Sequence, residues 1–272
     1  MDFIDKALAR RLESAEEMPQ VHYALVFDQL HPEIGAAAEG ICGGHMIFAG
    51  IGSPIGRAVG LGFDRPITSD DIDELERFYR SHKAPSQIDL CPLHDPVTME
   101  LFKQRGYAIA ELNNVLWRKL RREEQFPPAP KEFAVRRGRS EEAEIFADLV
   151  AQSFHEQGEV PTGFHAMLAP LYQIPGAIVF VASIDNRPVG AGAGLIIPEH
   201  KLVALFGAGT LHEFRGRGIQ TALLNARLKL AADAGCELAV VVTQGGSASQ
   251  RNCERLGFRV AYSKVTLFKA LE

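Results

Sequence analysis

The chain has 272 residues, 46% of them apolar and 23% charged, with a formal net charge of −5, a length suited to two globular domains. The acidic balance argues against a nucleic-acid binder, which carries a basic excess or a basic face, and no apolar run approaches the ~20 residues of a membrane span. Four cysteines, Cys42, Cys91, Cys236 and Cys253, have neither close pairing nor metal-type spacing, so they are expected to be reduced, buried thiols of a cytoplasmic protein.

The N-terminus, Met-Asp-Phe-Ile-Asp-Lys, is acidic and amphipathic, unlike a secretion signal. Gly43-Gly44 and the glycines from Gly50 to Gly62 sit among alternating strand residues, where bulges are expected. His45, His82 and His94 have no ligand spacing, and no metal is expected. Asn113-Asn114 suggests a turn between two strands. The segment Arg121–Lys131 is charged and then proline-rich, a linker. It divides the chain into domains expected at 1–120 and 133–272, with residues 121–132 between them.

The C-terminal half parses element by element. Phe133 to Arg137 is a predicted strand. Ser140 is placed to cap a helix with Glu141 and Glu142 in its first turn and Phe146, Val150 and Phe154 on one face. A second helical stretch lies near Phe164 to Leu171. Ala177–Ser183, Pro188–Ile197 and Leu202–Leu211 are predicted strands, the first two joined by an Asp185-Asn186 turn. Arg215-Gly-Arg-Gly-Ile-Gln220 then opens a helix running from about Gly216 to Ala234, stopped by Gly235. Glu237–Val242 is expected to be a fully buried strand. Ser247-Ala-Ser-Gln250 forms a capping-box pattern for a helix to Leu256, and two strands close the chain, Phe258–Tyr262 and Lys264–Ala270.

The strand–loop–helix at 202–234 has the chemistry of a diphosphate cradle. Gly216 and Gly218 carry no side chain, so an anion can approach the N–H groups at the helix start. The helix dipole and the guanidinium groups of Arg215 and Arg217 favour negative charge there. The loop lacks the Gly-Lys-Ser/Thr ending of a nucleoside-triphosphatase loop and does not fit the dinucleotide fingerprint.

An internal repeat emerges at an offset of 151. Gly257, Ala261, Leu267 and Leu271 fall on Gly106, Ala110, Leu116 and Leu120, and Phe258, Val260, Phe268 and Lys269 fall on Tyr107, Ile109, Trp117 and Arg118. The same shift sets Phe214 on Phe63 and the strand at 238–242 on 87–91. It also sets the cradle on Asp64-Arg-Pro-Ile-Thr-Ser69, followed by Asp70 and Asp71. Those acids complement a free helix N-terminus and would repel a diphosphate, so one copy is expected to bind the anion and the other to be sealed.

These residues resemble the GNAT acetyltransferase superfamily, whose acyl-CoA signature is matched by Arg215, Gly216-Arg217, Gly218 and Ile219, with Gln220 where a small residue is usual. The resemblance covers Phe133 to Leu271 in element order, and the N-terminal half looks like a degenerate copy, as in tandem members. It implies an α/β (α+β) fold of two GNAT-like domains, each a mixed, mostly antiparallel splayed sheet flanked by helices. It implies acetyl-CoA (CoA) as cofactor, with Ala208, Gly209 and Thr210 offering backbone groups to the pantetheine arm. Arg215, Gly216, Arg217, Gly218, Ile219 and Gln220 would hold the diphosphate, and Asn252 would reach the cofactor from the far side of the splay. The implied reaction is direct acyl transfer to an amine. A base abstracts the amine proton, backbone N–H groups stabilise the oxyanion, and an acid meets the leaving thiolate. Where many members place a tyrosine for that acid, this chain has Cys253, with Tyr262 as the nearest substitute. Glu199, His200, His212, His155 and Glu156 are candidate bases, Glu199 and Glu156 first. The acceptor is expected to be a small-molecule or protein amine, with no nucleic-acid or membrane partner and homodimer formation left open. The competing function is a non-catalytic acyl-CoA-binding regulatory module.

Overall fold

The computed structural model describes residues 3–155 and 164–271. In chain order the elements are α1 (Lys6–Leu30), β1 (Ala37–Ile41), β2 (Gly44–Phe48), α2 (Ser69–Ser81), β3 (Ser86–Leu90), α3 (Val97–Gln104), β4 (Ala108–Lys119), β5 (Ala134–Arg137), α4 (Ala143–Phe154), α5 (Phe164–Leu168), β6 (Ala177–Ile184), β7 (Arg187–Ile197), β8 (Leu202–Thr210), α6 (Ile219–Asp233), β9 (Leu238–Gln244), α7 (Ala248–Arg255) and β10 (Arg259–Lys269). They form two compact units that do not follow chain order. One comprises Met1–Leu116, Val242–Gln250 and Arg259–Glu272; the other comprises Trp117–Val241 and Arg251–Phe258. The last strand, expected in the C-terminal domain, therefore lies in the first unit. There Val265–Lys269 of β10 pair antiparallel with Ser86–Leu90 of β3. Strand pairing between distant segments is decided by tertiary packing, which a linker-like composition does not report.

In the first unit β1 and β2 form a hairpin whose register puts Ile41 opposite Gly44, so Cys42-Gly43 is its two-residue turn rather than a bulge. Single bridges, His45 to Val59 and Ala58 to Ile88, connect this hairpin to β3. The apolar face of α2, with Ile72, Leu75, Phe78 and Tyr79, packs with Met46, Phe48, Ile88 and Phe102. Beside this core is a buried ionic cluster. Tyr262 donates to Glu13 at 2.6 Å, and Lys264, 1% exposed, pairs with Glu16 and lies 3.8 Å from Asp89. Asp89 in turn accepts from Arg57 at 3.2 Å and from Thr266 at 2.6 Å.

β4 and β10 are each one unbroken strand. The turn expected at Asn113-Asn114 and the break expected at Ser263 are both absent. Instead Ser263 donates to Asn114 at 2.7 Å, so two polar residues that suit a turn satisfy one another inside the sheet. The offset of 151 carries α6 onto α2, α7 onto α3 and β10 onto β4, to within one residue at each end.

The second unit is a sheet in the order β9-β8-β7-β6-β5. All its pairings are antiparallel except β8 with β9. Asp185 and Asn186, with φ of 48° and 63°, make the tight turn between β6 and β7. Side chains alternate between the two faces of a strand, and α4 covers one face while α6 covers the other. Phe133, Ala182, Val189, Ile219, Ala222 and Leu223 form the core beneath α6. On α4, Phe146 and Val150 are buried as expected, but Phe154 is 60% exposed. Ser153 takes the inward place instead, because the chain leaves the helix at His155. The capping role expected of Ser140 rests on a side chain outside the described residues. The first turn is instead fixed by Glu142, which accepts from the Arg139 N–H at 2.9 Å and from both guanidinium nitrogens of Arg136 at 2.8 and 2.6 Å. β9 is buried from Leu238 to Val240 and only partly beyond, which corrects the fully buried strand expected there. No helix among the described residues is long and apolar enough to cross a membrane.

Gly209 sits where α4 crosses β8. A Cβ added there would stand 1.8 Å from Ser153 Oγ. Gly209→Ala is therefore expected to cost about 1–3 kcal/mol, and Ser153→Gly in the same chain to recover part of that loss despite its own helix penalty. Chemical denaturation of the two single variants and the double variant checks the coupling.

The Arg136 guanidinium, followed by the Arg139 N–H, holds the Glu142 carboxyl down at about 2, against an ordinary 4.5. The stabilisation is thus present above pH 4.5 and lost as pH falls toward 2. The gap in melting temperature between the native chain and Glu142→Gln is expected to close over that window.

Candidate functional site

The site begins with an irregularity in β8. Ala191 pairs with Gly209 but Ala193 pairs with Phe206, so β8 holds one residue more than β7 at Gly207-Ala208, a bulge that bends the strand. The parallel ladder to β9 covers Leu202–Leu205 against Leu238–Val241 and ends there. From Phe206 to Thr210, β8 is therefore paired along its β7 side alone. Its other edge presents backbone N–H and C=O groups of the kind that accept an extended, amide-bearing chain.

The free edge leads into the loop. His212–Phe214 make one tight 3-10 turn, and Gly216 (φ 77°) and Gly218 (φ 81°) take left-handed conformations before α6 begins. A Cβ at either glycine would meet nothing within 4 Å. The demand for glycine here comes from the backbone angle, not from crowding. No acidic residue occupies the first turn of α6, and no side chain caps it. The N–H groups of Gly216, Arg217, Gly218, Ile219, Gln220 and Thr221 have no acceptor among the described residues. A row of open donors at the positive end of a helix is an anion site.

Arg215 turns inward, donating to the Thr210 carbonyl at 3.3 Å and the Ser153 carbonyl at 2.6 Å. It ties the loop to the end of β8 and the last turn of α4, and so shapes the cradle. Arg217 is exposed, with its guanidinium carbon 5.4 Å from the Phe214 ring centre. Gln220, expected among the residues that hold the diphosphate, donates its side-chain amide to Thr210 Oγ1 at 2.8 Å.

At the matching offset the start of α2 is closed. Thr68 accepts from the Asp71 N–H, Asp71 accepts from the Thr68 N–H, and Arg65 clamps Asp71 through two hydrogen bonds of 2.7 and 2.6 Å. Here a capping box and an ion pair occupy the donors and the charge that α6 leaves open.

The remaining expected residues are scattered. Asn252 is half-buried and accepts from Arg255 at 3.4 Å. Cys253 is 4% exposed, and burial pushes its thiol up to about 11. Tyr262 belongs to the first unit, where its hydroxyl is committed to Glu13 and burial and the Glu13 charge push its pKa far up; that contact gives no support to the expected acid role. Glu199 lies in the 3-10 turn Pro198–His200 before β8, six residues from Leu205 and so about 20 Å along an extended chain. It stands at the end of β8 opposite the open donors. His200 shares that turn, His212 is exposed beside the cradle, and the His155 ring meets the Ala151 carbonyl at 2.9 Å. Glu156 lies outside the described residues. No group of three or more His, Cys, Asp or Glu among the described residues is arranged to hold a metal ion.

Two residues escaped sequence reasoning. Ser153 supplies the carbonyl that anchors Arg215. Arg227 of α6 is 3% exposed under β7. The signal for it was present in Gly190-Ala-Gly192-Ala-Gly194, alternate glycines that leave one face of a strand open to a bulky neighbour.

A sheet edge left open past Leu205 thus runs into a helix start whose backbone donors are open. Residues 142–258 match the sequence model of the acetyltransferase (GNAT) family. The fold over nearly the whole chain is that of a GCN5-related N-acetyltransferase from Kribbella flavida, with a TM-score of 0.64 at 16% identity, covering 92% of this chain and 95% of that one. A tandem GNAT protein from the clavulanic acid biosynthesis pathway aligns with a TM-score of 0.60 at 14% identity, covering 87% and 79%. A GCN5-related N-acetyltransferase from Sphaerobacter thermophilus gives 0.55 at 18%, covering 75% and 65%. No curated protein matches the sequence.

If Arg215 is a bracket, Arg215→Met should lower stability by about 1–2 kcal/mol through its lost hydrogen bonds. Arg217→Met should stay within about 0.5 kcal/mol of the native chain. Thermal melts of the two variants separate bracket from free cation.

Proposed function

We propose that the second unit is an acetyl-CoA-dependent N-acetyltransferase and that the first is a degenerate copy of the same fold without a cofactor site. The observation that carries this reading is the run of acceptor-less N–H groups from Gly216 to Thr221 adjoining the unpaired edge of β8. The residues fit the cofactor. The open N–H groups and Arg217 would hold the diphosphate, the backbone of Ala208, Gly209 and Thr210 would pair with the amides of the pantetheine arm, and Asn252 would contact it from α7. Bound acetyl-CoA supplies an acyl carbon open to attack by an amine. The protein orients that carbon against the acceptor, excludes water through the packing of α4 and α6 on the sheet, and offers fixed backbone donors where negative charge develops.

One observation favours a second reading, a non-catalytic acyl-CoA-binding regulatory module. The Tyr262 hydroxyl is engaged by Glu13, and Cys253 is a packed thiol. Incubation with acetyl-CoA and a panel of small amines and peptides, with free thiol as readout, decides between them. Release above hydrolysis on at least one amine is expected; tight binding without release on any amine selects the second reading. Calorimetry is expected to find one CoA site per chain, undisplaced by ATP and weakened at least tenfold by Gly218→Val, whose branched side chain is strained at φ 81°. Two equivalent sites, or none, would overturn the proposal.

A further inference from the structure

Arg227 stands on the third turn of α6 with its guanidinium pressed against β7. Nη1 donates to the Ala193 carbonyl at 2.8 Å and Nε to the Leu223 carbonyl at 3.1 Å. The space it fills is the one Gly192 leaves, since a Cβ there would lie 2.7 Å from the guanidinium carbon. No carboxylate among the described residues pairs with it, and the one titratable group acting on it is the Cys253 thiol of α7. Burial pulls its pKa down to about 10, which still leaves it charged at neutral pH. A buried cation without an anion is costly, and a fold that keeps one has a use for positive potential at that place.

The place is informative. Ala193, which accepts from Arg227, pairs with Phe206, the first β8 residue past the end of the β9 ladder. The arm of coenzyme A between diphosphate and sulfur is about twelve bonds long, equal to about four residues of extended chain. A diphosphate on the donors of the loop after Thr210 therefore brings the sulfur back along β8 to about Phe206, one strand away from the guanidinium.

We propose that Arg227 supplies the positive charge that stabilises the sulfur of coenzyme A as a thiolate at the open edge of β8. This rests on the CoA-binding reading given above. In acyl transfer the carbon–sulfur bond breaks and its electron pair stays on sulfur, while the amine nitrogen gains the acyl group and gives its proton to water. Arg227 offsets the charge that sulfur acquires, without itself giving up a proton. A guanidinium in this position replaces an acid in the role left open by the buried Cys253 and by Tyr262.

The test is the thiol pKa of bound coenzyme A, read as thiolate absorbance in the difference between complexes with coenzyme A and with its desulfo analogue. In the native chain the bound thiol should titrate about one unit or more below an ordinary thiol near 8.5. Arg227→Lys should keep most of that shift. Arg227→Gln should lose it, leaving roughly tenfold less thiolate at a given pH, and should make turnover more sensitive to the basicity of the leaving thiol with little change in KM. A native complex whose bound thiol is unshifted overturns the inference even if Arg227→Gln does not fold. So does an Arg227→Gln complex that retains the shift. Failure of coenzyme A to bind the native chain overturns the function reading along with it.

Discussion

The candidate site depends on one constraint, that the first N–H groups of α6 stay unsatisfied while the loop before them stays rigid. Gly216 and Gly218 meet the first half by adopting left-handed angles that turn the backbone without placing a side chain over the donors. Arg215 meets the second half by bonding the carbonyls of Thr210 and Ser153. The last turn of α4 carries partial negative charge, so a cation suits it. A loop held this way is ordered before any ligand arrives, and less conformational entropy remains to be lost on binding.

The same location in the first unit illustrates the opposite solution. There α2 begins with Thr68, Asp71 and Arg65 bonded to one another, so the helix satisfies its own donors and its own dipole. In the same unit Glu13, Glu16, Asp89, Arg57 and Lys264 form a buried ionic cluster to which Tyr262 and Thr266 donate hydrogen bonds. Removing one partner from such a cluster leaves an uncompensated buried charge, which is far costlier than the net worth of the pair. A helix start left open and one closed by its own residues, 151 positions apart in the chain to within one residue, differ by a handful of side chains.

The bulge in β8, the end of the β9 ladder and the glycine at 192 converge where Arg227 is buried. Packing alone would favour an apolar residue at that point of α6. The charge instead sets the local potential at the edge of the parted strands.

Much of this was legible in the sequence, because it is local. The strands at 177–184, 187–197 and 202–210 follow from alternation and β-branched content, and the turn at Asp185-Asn186 from residues that tolerate positive φ. The open helix start follows from glycines without acids, and the closed one from the acids Asp70 and Asp71; the Thr68 cap was not read from sequence. What tertiary structure decided is non-local. Asn113-Asn114 and Ser263 resemble turn residues, yet they lie inside strands because each found a polar partner there. The spacing of Arg215 suggests an anion ligand, and its bonds to the Thr210 and Ser153 carbonyls are contacts that only folding brings about. Tyr262 is bonded to a glutamate 249 residues away, and Glu199 stands in a turn at the far end of β8. Residue type and spacing fix which backbone conformations and charges are available; which partner each charged group meets is set by segments distant in the chain, and no local pattern encodes that.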